Sequence, residues 1–421
     1  MIEIPSMLRR ANSRNSDILA QKVSKLTAKF ADLWQTTGPG ISPIGRIYDQ
    51  SEQIENESTL REVLRGKNRE PKSREEARIQ SVRLKTWIRD LLLRSLDSNR
   101  RVGVSGLLDT FFDAGEGFAL RAREFDGELG SAGIFQALRN VWIVNSLQAG
   151  FGLPVHVNPS CFAYSLLYTY TDNFLDDCRV PDDDKSSFGS EFGRRLSGID
   201  TRTDWAILLR VGRLVHVIEE EFPRSTFPEV YDSLLAIHRA QLNSLRQHTD
   251  NSSDILRLSV EKGGTSVLAD GYITKGELTS LEQEFSFGYG VFLQFIDDLQ
   301  DVVEDIDCGS QTLFTLAARD GKLDDITTRF VAFMNRILNL LPVITKARLG
   351  GLSDLIVQSC CGLALETVAL HPALFSKEFV RQYEYYSPLR FEAIRCFHEE
   401  FQTPESSIFV KQFESCQREV A

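Results

Sequence analysis

Apolar residues recur at helical spacing along most of this chain of 421 residues. No convincing run of alternating apolar and polar residues predicts a strand. The pattern predicts helices near residues 17–34, 73–96, 104–122, 131–150, 160–178, 203–222, 228–248, 252–262, 277–305, 311–318, 323–341, 350–369, 374–386, 388–401 and 404–418. We therefore predict an all-α protein.

The helical pattern is interrupted in three places. Residues 38–75 are rich in Gly, Pro, Ser and charge and predict a linker with at most one short helix. We accordingly predict an N-terminal extension over 1–70, partly helical or disordered, and one helical domain over 71–421. Residues 179–188 predict a polar loop, and Gly263-Gly264 predicts a break in the helix that begins near residue 252.

The amino-acid composition argues against several classes of function and location. The formal net charge of −11 argues against nucleic acid as a partner. The seven cysteines are odd in number and lack C-x-x-C spacing, which favours reduced thiols and a cytoplasmic protein. The N-terminus has no apolar signal-peptide core, and no uninterrupted apolar run is long enough to predict a transmembrane segment.

Two acidic clusters each follow an apolar, aromatic stretch. The first contains Asp172, Asp176 and Asp177, and the second contains Asp297, Asp298, Asp301, Glu304 and Asp305. Carboxylates one helical turn apart share a face, where they suit hard divalent cations such as Mg2+. The alternative is an ordinary solvated helix end paired with Lys or Arg elsewhere. No basic residue lies between Lys275 and Arg319, which favours the metal hypothesis for the second cluster.

Several other side chains could complete a site. Lys262, followed by two glycines, could present an ammonium and free backbone N–H groups to a phosphate, although a helix C-cap explains it equally well. Arg179 follows the first cluster and is the best placed of the arginines. Aromatic residues such as Tyr168, Phe174 and Phe295 fit a core, or a pocket that stabilises a cation. The histidines lack zinc-site spacing.

These motifs resemble those of the class I isoprenoid (terpene) synthases. The run from Leu293-Gln294 through Asp297-Asp298 to Asp301 resembles the F-Q-x-x-D-D-x-x-D of trans-isoprenyl diphosphate synthases. Its continuation to Glu304-Asp305 is similar to the L-Q…D-x-x-E-D run of squalene and phytoene synthases. The first cluster resembles D-D-x-x-D or D-x-x-x-D, and Lys262-Gly-Gly is placed like the element that touches diphosphate in chain-elongating enzymes. The resemblance covers roughly residues 100–400.

The resemblance implies a single helical bundle around a central active-site cavity. It implies three Mg2+ ions and a small-molecule prenyl diphosphate as the substrate. The implied metal ligands are Asp172, Asp176, Asp297 and Asp301, supported by Asp177, Asp298 and Asp305. The implied substrate-binding residues are Lys262, Arg179, Gln294, Phe174, Phe295 and Tyr168. A homodimer is compatible with this class, and the sequence does not fix the oligomeric state.

The chain also departs from each subfamily. It lacks the Gly-Gly-Lys-Arg element with which elongating synthases bind isopentenyl diphosphate, and the N-x-x-x-S-x-x-x-E metal motif of ordinary terpene cyclases. This mixture favours a terpene cyclase that uses one allylic diphosphate. Prenyl transfer, as chain elongation or head-to-head condensation, is the alternative, and a catalytically silent helical scaffold is a third hypothesis.

Overall fold

The regular secondary structure of the protein is all helical in the part of the chain that the structure describes. This computed structural model describes residues 6–40, 45–64, 74–94, 96, 98–177, 179–199, 203–244, 254–341 and 351–401. Seventeen α-helices and one 3-10 turn lie within these ranges, without a strand. The all-α prediction is confirmed, while the helix predicted near 404–418 lies outside the described residues.

The helices follow one another through mostly short connections. They are α1 Ser6–Thr36, α2 Gln50–Leu64, α3 Arg74–Arg94, α4 Ser98–Phe125, α5 Ser131–Gly150, α6 Pro159–Asp176, α7 Asp182–Leu196, α8 Ala206–Glu221, α9 Pro228–Ser244, α10 Ile255–Lys275, α11 Ser280–Gln300, α12 Val302–Cys308, α13 Leu313–Asp320, α14 Asp324–Leu338, α15 Leu352–Leu370, a 3-10 turn Pro372–Leu374, α16 Lys377–Glu384 and α17 Phe391–Phe401.

Helices α10 and α11 form the centre of the bundle. They pack against each other more extensively than any other pair, and α1, α5, α6, α9, α14 and α15 surround them. Both carry continuous buried stretches, such as the fully buried Phe285, Phe287, Phe292 and Phe295 of α11. A helix buried on most of its surface is apolar nearly all round, which explains why these segments lack a polar stripe.

The predicted boundary at residue 70 does not divide the hydrophobic core. Phe30 and Trp34 of α1 are buried in the same core as α10 and α11. Trp34 makes edge-on contacts with the rings of Phe295 and Phe333. The helix predicted near 17–34 is therefore an integral part of the bundle.

Helix α2 is held against the C-terminal helices by side-chain hydrogen bonds. Glu57, which is buried, accepts hydrogen bonds of 2.7 and 2.6 Å from the guanidinium of Arg390. Gln53 donates to the backbone oxygens of Glu384 and Ser387 at 2.9 and 3.0 Å. Contacts so distant in sequence could not be inferred from the local composition, which had suggested a linker.

Helix α7 corrects the prediction of a polar loop over 179–188. Asp182, Asp183 and Asp184 occupy its first turn, where carboxylates interact favourably with the positive end of the helix dipole. Phe188 and Phe192, one turn apart, are buried against the rest of the core. The acidic run is thus a helix start, and the apolar residues that identify the helix come only after it.

Among the described helices, α15 is long and apolar enough to cross a membrane by length and composition. About half of its apolar window (56%) is buried inside the protein, and it packs against α11, α14 and α17. Core helices commonly meet the same criterion. Its burial is consistent with the predicted absence of a transmembrane segment.

Candidate functional site

The first acidic cluster lies at the C-terminal end of α6. This helix begins at Pro159, and the side chain of Asn158 caps it by accepting a hydrogen bond from the backbone N–H of Cys161 at 2.8 Å. Most of α6 is buried, and its last turns bring Asp172 and Asp176 to the edge of the core. The Asp172 side chain is 18% exposed and that of Asp176 is 50% exposed. Asp172 is therefore the more desolvated of the two.

The second acidic cluster spans a helix boundary. A capping box between Thr279 and Glu282 begins α11, which ends at Gln300. Asp301 closes α11 and opens α12, so the single helix predicted over 277–305 is wrong. Asp297 and Asp298 lie in the last turn of α11, whereas Asp305 belongs to α12.

Lys262 links α10 to the first cluster. Its ammonium nitrogen lies 3.6 Å from Asp172 Oδ1 and 3.6 Å from Asp176 Oδ2. Burial lowers the pKa of Lys262, but the two carboxylates outweigh it and hold the pKa well above its usual value. Lys262 is therefore a fixed positive charge in this site.

The two glycines after Lys262 do not break the helix, which corrects that prediction. Helix α10 runs without interruption from Ile255 to Lys275, so the backbone N–H groups of Gly263 and Gly264 lie within it. A Cβ on Gly263 would lie 2.5 Å from the backbone oxygen of Gly290, and one on Gly264 would lie 2.2 Å from the ring of Phe287. Gly263 is needed because the backbones of α10 and α11 touch here, and Gly264 is needed because the ring of Phe287 lies against it. They do not form a cradle for phosphate.

Arg139 is a residue of the site that the sequence analysis missed. Its guanidinium donates a hydrogen bond of 2.6 Å from Nη2 to Asp297 Oδ1. Arg139 is the one charged residue of α5, whose other nineteen residues are uncharged. A lone arginine in an uncharged helix was the available signal.

Tyr168 lies within electrostatic range of both clusters. Burial, Asp172 and Asp297 all raise the pKa of its hydroxyl, whereas Lys262 lowers it. The pKa of Asp172 likewise depends on both clusters. Burial raises its pKa to about 6, with Lys262 opposing the rise and with Asp176 and Asp297 adding to it. The acidic end of α11 therefore lies within electrostatic range of Lys262 and of the acidic end of α6.

Asp298 is the buried carboxylate of the second cluster. Gln294 donates a hydrogen bond of 2.8 Å to its Oδ1, while its buried Oδ2 has no hydrogen-bond partner within the described residues. Burial, opposed by that hydrogen bond, raises its pKa to about 7. A second donor or a cation would stabilise the charged form.

Asp177 and Arg179 form a separate pair. The guanidinium of Arg179 donates to both carboxylate oxygens of Asp177, with distances between 2.8 and 3.2 Å. Its hydrogen bonds lower the pKa of Asp177 to about 2. The Arg179 side chain is 86% exposed. In this arrangement the guanidinium of Arg179 neutralises the carboxylate of Asp177.

Two of the three aromatic residues predicted to bind substrate pack in the core. Phe295 is fully buried against Trp34 and Phe333. Phe174 packs against Phe188 and Trp205. The core interpretation, which the sequence had left open, explains their contacts.

Tyr168 instead lines a cavity beneath the first cluster. The cavity is large enough for about one water molecule. Its lining residues are Tyr164, Leu167, Tyr168, Thr171, Phe192, Leu196, Leu234, Ile237, His238 and Gln241. The amide of Gln241 also donates to Asp172 Oδ1 at 3.3 Å, which links Asp172 to the wall of this cavity.

A buried polar network lies deeper in the bundle, two helical turns from Lys262 along α10. Asn140 Nδ2 donates to Asp270 Oδ1 at 2.9 Å and to Ser165 Oγ at 3.1 Å. Asp270 is fully buried, and its Oδ2 has no hydrogen-bond partner among the described residues. Burial raises its pKa well above the usual value, which favours its uncharged form. The network ties α5, α6 and α10 together.

The donor set of the two clusters fits a divalent cation. Carboxylate oxygens are the ligands that Mg2+ prefers, and Asp298 offers a buried oxygen that no described residue satisfies. Within the described residues, no three acidic, His or Cys side chains already converge closely enough to hold a metal ion. A bound cation would therefore draw the carboxylates of α6, α11 and α12 together.

Comparison of the chain with protein-family models, with curated proteins and with solved structures found no match.

Proposed function

We propose that this protein is a class I terpene synthase, which ionises an allylic prenyl diphosphate and cyclises the resulting carbocation with release of pyrophosphate. The observation that carries the proposal is the pairing of the Lys262 ammonium with the acidic end of α6, within electrostatic range of the acidic end of α11. The sequence motifs, and the all-helical fold that surrounds them, support it further.

Each charged residue has a defined part in this proposal. Mg2+, when bound, supplies positive charge that stabilises the departing pyrophosphate. Asp172 and Asp176 on α6, with Asp297 and Asp301 at the end of α11, are the proposed ligands. Asp298 and Asp305 are proposed as supporting ligands, and Asp177 remains paired with Arg179.

Lys262 and Arg139 are the proposed diphosphate contacts of the chain itself. Each is held by carboxylates of the site, Lys262 by Asp172 and Asp176 and Arg139 by Asp297. If Mg2+ takes those carboxylates, both cations become available to anionic phosphate oxygens. They would add fixed positive charge where negative charge develops on the leaving group.

The hydrocarbon chain of the substrate requires an apolar space. The cavity beneath Asp172 is aromatic and adjoins the cluster, but a prenyl chain is much larger than the single water that fits there. The proposal therefore requires Tyr168 and its neighbours to move apart when substrate binds. Water excluded from this space could not quench the carbocation before cyclisation.

The test is incubation with Mg2+ and geranyl, farnesyl, geranylgeranyl or geranylfarnesyl diphosphate, with and without isopentenyl diphosphate. Pyrophosphate release and organic products are measured together. A cyclic hydrocarbon or alcohol from one diphosphate alone is the expected result. The Asp297→Asn, Asp301→Asn variant should lose at least about 100-fold in activity. The matched control Asp113→Asn, Asp320→Asn changes two exposed aspartates outside the clusters and should retain activity.

Prenyl transfer is the second candidate, favoured by the likeness of the second cluster to the motifs of prenyl diphosphate and squalene-type synthases. Longer linear diphosphates formed only with isopentenyl diphosphate would establish chain elongation. A condensed product from two identical diphosphates would establish head-to-head coupling. No pyrophosphate release under any condition would refute both candidates and leave the helical scaffold as the remaining hypothesis.

A further inference from the structure

His238 is a buried histidine that the metal and diphosphate site does not use. It lies on α9, one turn before Gln241, and is 3% exposed. Its ring lines the cavity beneath Asp172 and stands edge-on to Phe192. The side chain is therefore next to the space in which the proposed function places the carbocation.

The hydrogen bonding of His238 determines which ring nitrogen is basic. Nε2 lies 2.8 Å from the backbone oxygen of Gly189 on α7. Because a carbonyl oxygen can only accept, Nε2 must carry the hydrogen, and the lone pair of the neutral ring is on Nδ1. Burial lowers the pKa of His238, which favours this neutral form.

The lone pair on Nδ1 is buried without a donor. Within the described residues Nδ1 has no hydrogen-bond partner. Buried polar atoms in native proteins are nearly always satisfied, so an exception calls for an explanation. The other polar side chains of the cavity are two tyrosines, a threonine and an amide. Burial raises the pKa of both Tyr164 and Tyr168, so neither phenol is a base at neutral pH.

We propose that His238 is the catalytic base that ends the reaction by accepting a proton at Nδ1. The inference rests on the proposed function. A C–H bond next to the cationic carbon breaks, its electron pair forms a C=C double bond with that carbon, and the proton passes to Nδ1. The product is a neutral alkene, and the ring becomes an imidazolium that still donates from Nε2 to Gly189.

His238→Gln is the informative substitution. The terminal amide of glutamine can reach about as far as Nε2 and can still donate to Gly189, but it offers no basic nitrogen. His216→Gln is the matched control, because His216 is exposed on α8. Each variant is incubated with Mg2+ and the prenyl diphosphate that the wild type consumes. Single-turnover pyrophosphate release, product distribution and thermal unfolding are measured.

We expect His238→Gln to release pyrophosphate within about threefold of the wild-type rate, while the main alkene falls by about tenfold or more. Water-quenched alcohols or alkene isomers should replace it, and His216→Gln should give the wild-type products. Unchanged products with normal pyrophosphate release would overturn the role of His238 and leave the proposed function standing. A wild type that releases no pyrophosphate would overturn both.

A second measurement does not depend on the variant folding. Nitrogen-15 NMR of the histidine-labelled wild type at pH 7 distinguishes the two neutral tautomers. A proton on Nε2 and a bare Nδ1 for His238 are expected. A proton on Nδ1, or a charged ring, would overturn the proposal.

Discussion

The close contact of α10 with α11 gives a prediction whose size follows from the structure. A Cβ on Gly290 would lie 1.9 Å from the backbone oxygen of Gly263, whereas a real Cβ essentially never comes within 3.0 Å of another heavy atom. Since the obstacle is backbone, no side-chain rotation relieves the clash. Gly290→Ala must therefore push the two helices apart by roughly 1 Å, which forfeits a quarter to a half of the dispersion energy of each affected contact.

We expect Gly290→Ala to destabilise the protein by about 3 kcal/mol, at the upper end of overpacking costs. Gly117→Ala is the matched control, because Gly117 is an exposed glycine of α4 with nothing within 4 Å of its Cβ position. At that site alanine should stabilise by about 0.5–1 kcal/mol, since it is the better helix former.

Urea unfolding followed by circular dichroism measures both variants. The two substitutions are chemically identical, so opposite signs can come only from their surroundings. A Gly290→Ala variant as stable as the wild type would refute the close backbone contact. It would also remove the explanation given for Gly263.

Three further predictions concern stability. Asp270→Asn should cost about 1 kcal/mol or less, because an amide oxygen still accepts from Asn140 and burial already favours the uncharged form of Asp270. Asp270→Ala should cost about 2 kcal/mol or more, and equal losses in urea unfolding would contradict this. The pKa of Asp298 is about 7 in the folded protein and about 4 in an unfolded chain. Between pH 4 and pH 7 the Asp298 carboxyl is therefore protonated in the folded state and ionised in the unfolded state. Because folding then requires proton uptake, the metal-free protein loses stability as the pH rises from 4 to 7. Asp298→Asn should therefore gain stability relative to the wild type at pH 8 compared with pH 5, and an equal difference at both pH values would count against the assignment. Glu57→Ala should cost about 2 kcal/mol, because it removes the charged hydrogen bonds from Arg390. Limited proteolysis should then cut near α2 faster, and an unchanged cleavage rate would argue that these hydrogen bonds do not hold α2 in place.

Local sequence was sufficient for most of the helices and for the acidic clusters and Lys262 of the candidate site. The helical spacing of apolar residues gave α5 and α6 nearly to the residue, because both are long and strongly patterned. The failures have local causes. The acidic start of α7 looked like a loop before its buried phenylalanines were counted, and Gly263-Gly264 looked like a break, because propensity cannot foresee a neighbouring backbone.

The sequence by itself determined that the chain is helical and that two acidic clusters end apolar helices. Only the tertiary structure decided which charges meet, because Lys262 reaches Asp172 and Arg139 reaches Asp297 across long stretches of chain. It also buried Phe295 in the core and, among the described residues, left Nδ1 of the cavity-lining His238 without a hydrogen-bond partner. Side-chain spacing fixes which residues share a helix face, whereas the partner of that face is fixed by how the helices pack.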